Sequence, residues 1–155
     1  MEQRFNADVD ASQSEVFRLL ADLSTYPDWL DIVTRVEDAP SVSGDASPAW
    51  LVTLRAQLGP LARSKKLRMV RTVHDEPSEV RFDRVETDRR QHSSWSLVAT
   101  TESLDMPDRR QQVRVTMQLG YDGKLWTSLL GGVLESRAAE AATKLGRLAV
   151  SGRGI

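Results

Sequence analysis

Hydrophobic and polar positions divide this chain into blocks with two different periods. Residues 3–9 alternate between apolar and polar side chains, as a half-buried strand requires. After Leu30 the period of two returns and continues for about ninety residues. Polar turns and turns that contain Gly or Pro interrupt it and divide the stretch into six further strands. The pattern therefore predicts seven strands in all.

Two short helices are predicted between the first strand and the second. Ser12 and Glu15 have the spacing of a capping box, in which each side chain reaches a backbone amide of the other residue. Apolar steps of three and four residues follow, so we expect a helix over residues 13–22. Pro27 removes an amide donor and interrupts this pattern. A second short helical piece is therefore expected over residues 25–31.

The chain ends in a segment with the pattern of a long amphipathic helix. From residue 125 the apolar side chains return to helical spacing, and charged residues occupy the opposite side. A helix of about 25 residues spans about 37 Å. Its apolar side is expected to lie against the sheet. We expect one domain over residues 1–150 and a flexible tail over 151–155, because Gly152 and Gly154 disfavour a helix.

The six later strands are expected to pair in the order in which they occur. The alternation is clearest over residues 50–58 and 113–121 and weaker between them, where Leu67, Met69 and Val73 share one parity. Short turns between neighbouring strands favour an antiparallel meander. The order of strand, two short helices, six strands and long helix indicates an α+β fold in which a curved sheet wraps around the C-terminal helix.

Composition narrows the class of protein without indicating a chemistry. The length of 155 residues fits one domain. The net charge of -1 gives no overall attraction to nucleic acid. Because there is no cysteine, disulfides, thiolate metal sites and a cysteine nucleophile are excluded. The sequence shows no signal peptide or membrane span, so we expect a cytoplasmic protein.

The predicted architecture leaves room for an internal cavity. A strongly curved sheet offers more concave apolar surface than one helix about 10 Å wide can cover. Aromatic residues make up 6% of the chain, and many inward candidates are Val, Ala, Leu or Met. Side chains of this size are expected to leave part of the interior unfilled. The sequence therefore predicts a cavity of about 300 to 1,000 Å³.

Several short runs of sequence resemble one family. They are residues 11–17 (ASQSEVF), with Leu20 and Asp22, 26–29 (YPDW), 94–97 (SWSL) and 121–123 (YDG). In this order and spacing they resemble the START-related, Bet v 1-like (SRPBCC) superfamily, in particular its bacterial polyketide cyclase/dehydrase and lipid-transport branch. The resemblance covers nearly the whole chain. It implies the helix-grip fold, a curved seven-stranded antiparallel sheet around a long C-terminal helix.

The same resemblance implies that a hydrophobic small molecule, such as a lipid, a sterol or a polyketide, binds between the sheet and the C-terminal helix. We favour a carrier or sequestering protein without catalytic activity. A polyketide aromatase/cyclase or dehydratase acting in the same cavity is the enzymatic alternative, and a groove for a protein partner is the third. No cofactor and no metal ion is expected, because neither His74 nor His92 has a second metal ligand at a suitable spacing.

Strand parity and helix position name the residues that are expected to line the cavity. They are Trp50, Val52, Leu54, Met69, Arg71, Phe82, Arg84, Trp95, Leu97, Val115, Met117, Leu119, Trp126, Leu130 and Leu134. Leu58, Pro60 and Leu61 form an apolar turn, and we expect them to cover the entrance together with the start of the long helix. Trp126 is the expected gate residue.

Arg71 and Arg84 are the charged members of this set. A guanidinium in an apolar cavity needs an oxygen partner, because an unpaired buried charge is costly. One interpretation is that either arginine anchors the polar end of the ligand, with Glu86, Thr101 or Ser103 in the same network. The interpretation that we favour is a bulge that turns either arginine to the solvent. No catalytic residue is assigned; strand parity leaves only Arg71, Arg84, Glu86 and Tyr121 for the chemistry of a cyclase.

A basic stretch follows the turn at Gly59 and Pro60 and contains Arg63, Lys65, Lys66 and Arg68. These side chains could meet phospholipid head groups at a cavity mouth. The interpretation that we favour is a solvated strand edge that discourages aggregation. We expect a monomer or a weak dimer that makes at most transient contact with a membrane and has no nucleic-acid partner.

Overall fold

The computed structural model describes residues 1–40, 48–105, 107–108, 111–123 and 126–151, with the backbone alone at residues 58, 61, 105 and 127–135. The strands are β1 (Glu2–Val9), β2 (Val33–Asp38), β3 (Ala49–Leu58), β4 (Leu61–Asp75), β5 (Glu79–Arg84), β6 (Trp95–Asp105) and β7 (Gln111–Tyr121). The helices are α1 (Gln13–Leu20), a 3₁₀ helix (Leu23–Asp28) and α2 (Thr127–Ser151). Residues 152–155 of the predicted tail lie outside the described residues.

All of these strands belong to one antiparallel sheet with the order β1-β7-β6-β5-β4-β3-β2. Strands β2 to β7 pair with their neighbours in sequence, which confirms the predicted meander. β1 pairs with β7, and Phe5 lies opposite Met117. α2 contacts β1, β3 and α1. The α+β helix-grip fold, with seven curled strands and two short helices between β1 and β2, is thus confirmed.

The start of α1 is fixed by the capping pair that the sequence shows. The Ser12 hydroxyl accepts a hydrogen bond from the Glu15 amide at 3.3 Å and also donates to the Glu15 carboxylate. The second helical piece differs from the predicted range 25–31, because it begins at Leu23 as a 3₁₀ helix. Its start is set by Asp22, whose carboxylate accepts a hydrogen bond from the Ser24 amide at 3.0 Å.

A bulge in β4 between Arg71 and Val73 changes which residues face the interior. Before the bulge Arg71 lies opposite Phe82, and after it His74 lies opposite Val80. Directly paired residues of antiparallel strands have their side chains on the same face, so Arg71 and His74 both face the side of the buried Phe82 and Val80. Val73 turns to the other face. The alternation in the sequence predicts Val73 on the same face as Leu67 and Met69. This prediction is wrong, because the bulge inserts one extra residue into the alternation.

Aromatic side chains fill much of the space between the sheet and the helices. The chain contains four Trp, two Tyr and three Phe, and all of them except Phe5 are buried. The rings of Tyr26 and Trp29 have their centroids 4.4 Å apart. Tyr26 also meets Phe82 edge-on at 6.3 Å, and Phe82 meets Trp50 edge-on at 5.7 Å. This chain of contacts packs the 3₁₀ segment onto the inner face of β3 and β5.

Tyr26 holds this packing in place through its hydroxyl group. The side chain is fully buried, and the hydroxyl donates a hydrogen bond to the Leu20 carbonyl at 2.8 Å. Carbonyls in the last turn of a helix have no donor within the helix, so this bond satisfies one of them. Burial raises the pKa of the Tyr26 hydroxyl far above its usual value, and the charge of Asp22 raises it further.

Replacing Tyr26 by Phe is expected to lower the free energy of unfolding at pH 7 by about 1 to 3 kcal/mol, because the Leu20 carbonyl loses this donor. The folded wild type must keep Tyr26 neutral, whereas an unfolded tyrosine ionises near pH 10. Wild-type stability should therefore fall by an additional 1.4 kcal/mol or so per pH unit above about pH 10, and Tyr26→Phe should lack this component. Urea unfolding at pH 7 and pH 11 measures both effects. Equal alkaline losses in the two proteins would contradict the prediction.

Candidate functional site

An apolar cavity lies between the inner face of the sheet and the segment that connects α1 to β2. Its volume is about 70 Å³, and fourteen of the described residues line it. They are Phe5, Leu23, Tyr26, Leu30, Ile32, Val33, Val52, Leu54, Leu67, Met69, Trp95, Leu97, Met117 and Leu119. Every one of these has an apolar or aromatic side chain, and the Tyr26 hydroxyl is already engaged by Leu20. The lining therefore offers a ligand apolar contact almost exclusively.

The cavity is much smaller than the sequence predicts, so the expected volume of about 300 to 1,000 Å³ is wrong. The low aromatic content suggested a loosely filled interior, but the aromatic residues are concentrated there, and Tyr26 and Phe82 occupy the concave face. An engineered cavity of about 150 Å³ holds benzene, so this one must widen to take a larger ligand. Phe5, Leu97 and Leu119 remain partly exposed, which brings the cavity close to the surface along their wall.

Arg71 faces the interior but is engaged by the protein itself. Its Nη1 donates to the Ala21 carbonyl at 2.9 Å, and its guanidinium carbon lies 6.0 Å from the centroid of the Trp50 ring. Its Nε is buried and has no hydrogen-bond partner among the described residues. The expected bulge is present, but it follows Arg71 and leaves this side chain inside. Arg71 thus connects the C-terminal end of α1 to the sheet.

Arg84 also lies on the inner face, opposite the cavity residue Met69. Its Nε donates to Glu86 at 2.6 Å, its Nη1 donates to the Ser93 carbonyl at 3.1 Å, and its Nη2 lies 3.3 Å from His92 Nδ1. Only 7% of the Arg84 side chain is exposed. Glu86 shares a network with this arginine, as one interpretation of the sequence expected. The network lies at the end of β5 and in the loop before β6.

Thr101 and Ser103 occupy a different part of β6. The Thr101 hydroxyl donates to the Pro77 carbonyl and accepts from Gln13 Nε2 at 3.0 Å. Ser103 is exposed. In the described part of the chain neither residue contacts Arg71 or Arg84, so the polar network expected to include them is confined to Glu86 and the residues before β6.

Lys65 continues the inner face of β4 next to the cavity. It lies opposite Leu54, which lines the cavity, and is partly buried. Burial lowers the pKa of the Lys65 ammonium group and the charge of Arg84 lowers it further, while Glu86 acts in the opposite direction. The fold therefore places a lysine where its own charge is disfavoured.

The rest of the basic stretch is divided between the two faces of β4. Arg68 is buried on the opposite face from Lys65, and its Nη1 and Nη2 donate to the carbonyls of Val85 and Pro40, each at 3.0 Å. Lys66 is exposed on that same face, so only part of the stretch is the solvated edge that we expected. Arg68 connects β4 to the segments on either side of it.

Comparison with known proteins assigns this fold to a family. A family model described as polyketide cyclase/dehydrase and lipid transport matches residues 4–149. The chain belongs to this family. A START superfamily protein of known structure from Mycobacterium smegmatis aligns over 97% of both chains, with a TM-score of 0.63 and 12% sequence identity, which supports the fold alone. The search of curated proteins found no match. The resemblance stated from the sequence is confirmed.

Seven of the residues predicted for a ligand cavity lie in the wall of the apolar cavity of this family member: Val52, Leu54, Met69, Trp95, Leu97, Met117 and Leu119. Trp50, Phe82 and Val115 are buried outside its lining. Trp126, the expected gate, is buried edge-on against Trp95, with ring centroids 5.9 Å apart. The side chains of Leu58, Leu61, Leu130 and Leu134 lie outside the described residues. Pro60 is exposed in the turn that Gly59 opens with a φ of 59°.

Sequence reasoning missed the other seven lining residues: Phe5, Leu23, Tyr26, Leu30, Ile32, Val33 and Leu67. Strand alternation could have named Leu67, which shares the parity of Met69, and Phe5, which lies on the apolar side of β1. The remaining five lie in the segment from residue 23 to 33, where the chain changes from helix to strand. The high share of apolar residues in this segment was the signal that could have indicated burial. Neither the helical nor the strand period continues long enough there to show which face is buried.

Other surfaces of this family member are less suited to hold an apolar ligand. A groove of about 930 Å³ runs along β1 and the second half of α2, but it is open, and alanines alternate in its wall with polar residues such as Asp8 and Arg147. Within the described ranges no three His, Asp or Glu side chains are grouped to hold a metal ion. In the same part of the chain no helix is long and apolar enough to cross a bilayer.

Replacing Arg71 by Met is expected to lower the free energy of unfolding by about 1 to 3 kcal/mol, since Ala21 loses a charged donor and Trp50 loses a cation. Ligand affinity should change little, because Arg71 does not line the cavity. Arg81→Met is the matched control. Arg81 pairs with Asp83 on the exposed face of the sheet, so its loss should cost at most about 1 kcal/mol. Urea unfolding measures both; weaker ligand binding at unchanged stability would identify Arg71 as a ligand anchor instead.

Proposed function

We propose that this protein binds a hydrophobic small molecule, such as a lipid, a sterol-like or a polyketide-like compound, in the apolar cavity between the inner face of the sheet and the segment that connects α1 to β2, as a carrier or sequestering protein. The observation that carries the proposal is the cavity with fourteen apolar or aromatic lining residues. Burial of apolar ligand surface there gains roughly 25 cal/mol per Å² and requires no polar partner. Membership of a family whose description includes lipid transport supports the same function.

Binding requires the cavity to widen beyond its volume of about 70 Å³. A ligand that binds the wider conformation more tightly shifts the population toward it. The wall formed by Phe5, Leu97 and Leu119 is the described part that can separate at the least cost. These side chains are already partly exposed, so their movement uncovers less apolar surface than movement of fully buried residues such as Tyr26.

The cavity supports binding better than catalysis. Ring closure or dehydration needs a group that polarises a carbonyl or transfers a proton. The fourteen lining residues include no carboxylate, histidine, lysine or arginine. Trp95 has an indole N–H that is buried without a partner in the described chain, but an indole is neither an acid nor a base at physiological pH. We therefore favour the carrier over the cyclase or dehydratase.

The setting that we propose for this carrier rests on the expectations from the sequence. It acts in the cytoplasm as one domain over residues 1–150, and as a monomer or a weak dimer. Any contact with a membrane is transient and serves the exchange of ligand. A protein partner in place of a small molecule is the outcome to consider if no apolar compound binds.

The first test is native mass spectrometry of the gently purified protein, followed by extraction and identification of any apolar molecule that it carries. A defined compound at one copy per chain supports the proposal and supplies the ligand for further work. A neutral probe, 1-decanol, is then titrated into the protein from which that compound was removed. A ligand at one hundred times its Kd should stabilise the fold by about 2.7 kcal/mol, which thermal unfolding can detect.

Replacing Leu97 by Phe is expected to weaken the binding of 1-decanol by roughly tenfold or more, because added volume in a filled cavity costs about 1 to 3 kcal/mol. Leu97 lines the cavity. Val98→Phe is the control, since Val98 lies opposite Arg81 on the other face of the sheet, where a phenylalanine ring points away from the cavity. Tryptophan fluorescence can report the titration because Trp95 also lines the cavity. Equal affinities of the two variants would overturn the proposed function, and so would a wild type that binds neither 1-decanol nor the acid of the same chain length, decanoate.

A further inference from the structure

The inner face of the sheet changes from apolar to basic at the rim of the cavity. Lys65 lies directly opposite Leu54, and Arg84 lies directly opposite Met69. Leu54 and Met69 both line the cavity, so each cation is the neighbour of a lining residue on the same face. Arg63 extends this side of β4 further and is exposed. A molecule that fills the cavity would reach this basic rim at one end.

The charges at the rim are not balanced. Glu86 is the acidic side chain that faces them, and it is already bound to Arg84 at 2.6 Å, while its Oε2 also accepts from the Arg68 amide at 3.3 Å. Among the described residues, the Glu86 carboxylate is therefore the acidic group that acts on both Lys65 and Arg84. Within the described chain Lys65 has no hydrogen-bond or ion-pair partner. An anion that arrived at the rim would find this ammonium group unoccupied.

We infer that the ligand is an amphipathic anion, whose apolar chain occupies the cavity and whose carboxylate lies at the rim against Lys65 and beside Arg84. The inference rests on the proposed function and adds the chemical class of the ligand to it. The apolar lining selects against small polar acids, because burying an unpaired polar group is costly. Lys65 favours an anionic ligand over a neutral lipid, because a neutral lipid provides no negative charge to pair with its ammonium group.

The electrostatic state of Lys65 supports this arrangement. Partial burial and the neighbouring Arg84 both disfavour its charged form, which lowers the pKa of the ammonium group. A carboxylate of the ligand would favour the charged form again, as an opposite charge within a few ångströms does. The free energy recovered in this way would appear as affinity for the acid and not for the matching alcohol.

The test compares decanoate with 1-decanol, which share an apolar chain and differ in charge. Both are titrated into the intact wild type at pH 7 and into two variants, Lys65→Met and Lys66→Met, and circular dichroism checks that each variant is folded. Met keeps most of the length and apolar surface of the lysine side chain. Lys66 is the neighbouring lysine on the other face of β4, opposite Thr53, and serves as the control. Arg84 is left intact, because its loss would leave Glu86 without its cation.

We expect the wild type to bind decanoate about tenfold more tightly than 1-decanol, which corresponds to about 1.4 kcal/mol. Lys65→Met should abolish this preference without changing the affinity for 1-decanol, whereas Lys66→Met should preserve it. Raising the salt concentration from about 0.05 to 0.5 M should reduce the preference, because screening weakens a charge pair that is partly exposed.

The other outcomes separate the two proposals. If the wild type binds both compounds equally, or if Lys65→Met and Lys66→Met bind decanoate equally well, the inference about the anion is overturned while the proposed function stands. If the wild type binds 1-decanol but not decanoate, the same holds. If neither compound binds, the proposed function and the inference are both overturned.

Discussion

The packing of the 3₁₀ helix onto the concave face of the sheet is the contact on which the interior depends. Tyr26 is fully buried there, fixed at one end by its hydrogen bond to Leu20 and along its ring by Trp29 and Phe82. A curved sheet in contact with one long helix would leave a large void. The aromatic segment fills most of it, since protein interiors approach the density of organic crystals. What remains is a cavity of about 70 Å³ whose shape follows from where Tyr26 and its neighbours lie.

A second constraint governs the charged residues on the same face. Arg71 lies among core residues and is compensated by a backbone carbonyl and by the face of Trp50. Arg84, nearer the edge, is compensated by Glu86 and a carbonyl of the following loop. Lys65 lies furthest along, at the rim, where partial solvation makes a missing partner tolerable. The free-energy cost of an unpaired charge is smaller nearer the solvent, and the protein accordingly provides fewer partners for the charges that lie nearer the rim.

Much of the fold follows from the sequence because period and capping are local properties. The alternation in β3 and β7 and the Ser12–Glu15 pair predict elements that the structure contains. The bulge in β4 is different, because a single extra residue in an irregular alternation is not visible in the sequence, and it places Val73 on the face opposite the expected one. The cavity lining could likewise be predicted only where the local pattern is regular. Its strand residues follow from parity, whereas Leu23 to Val33 reach it through a tertiary turn that Asp22 and Tyr26 fix.

The distribution of polar groups bears on why one fold can serve both transport and catalysis within this family. Catalysis requires a polar group beside the reacting atom, at a depth where water is excluded and electrostatic interactions are strong. In this chain the two inward arginines are committed to protein oxygen atoms, and the deep lining is apolar. Lys65, for which the described residues provide no partner, lies at the rim, beside the cavity rather than in its lining. In the function that we propose, such a charge holds one end of a ligand at the rim while the buried part meets apolar side chains, and this arrangement favours retention of a ligand over its conversion.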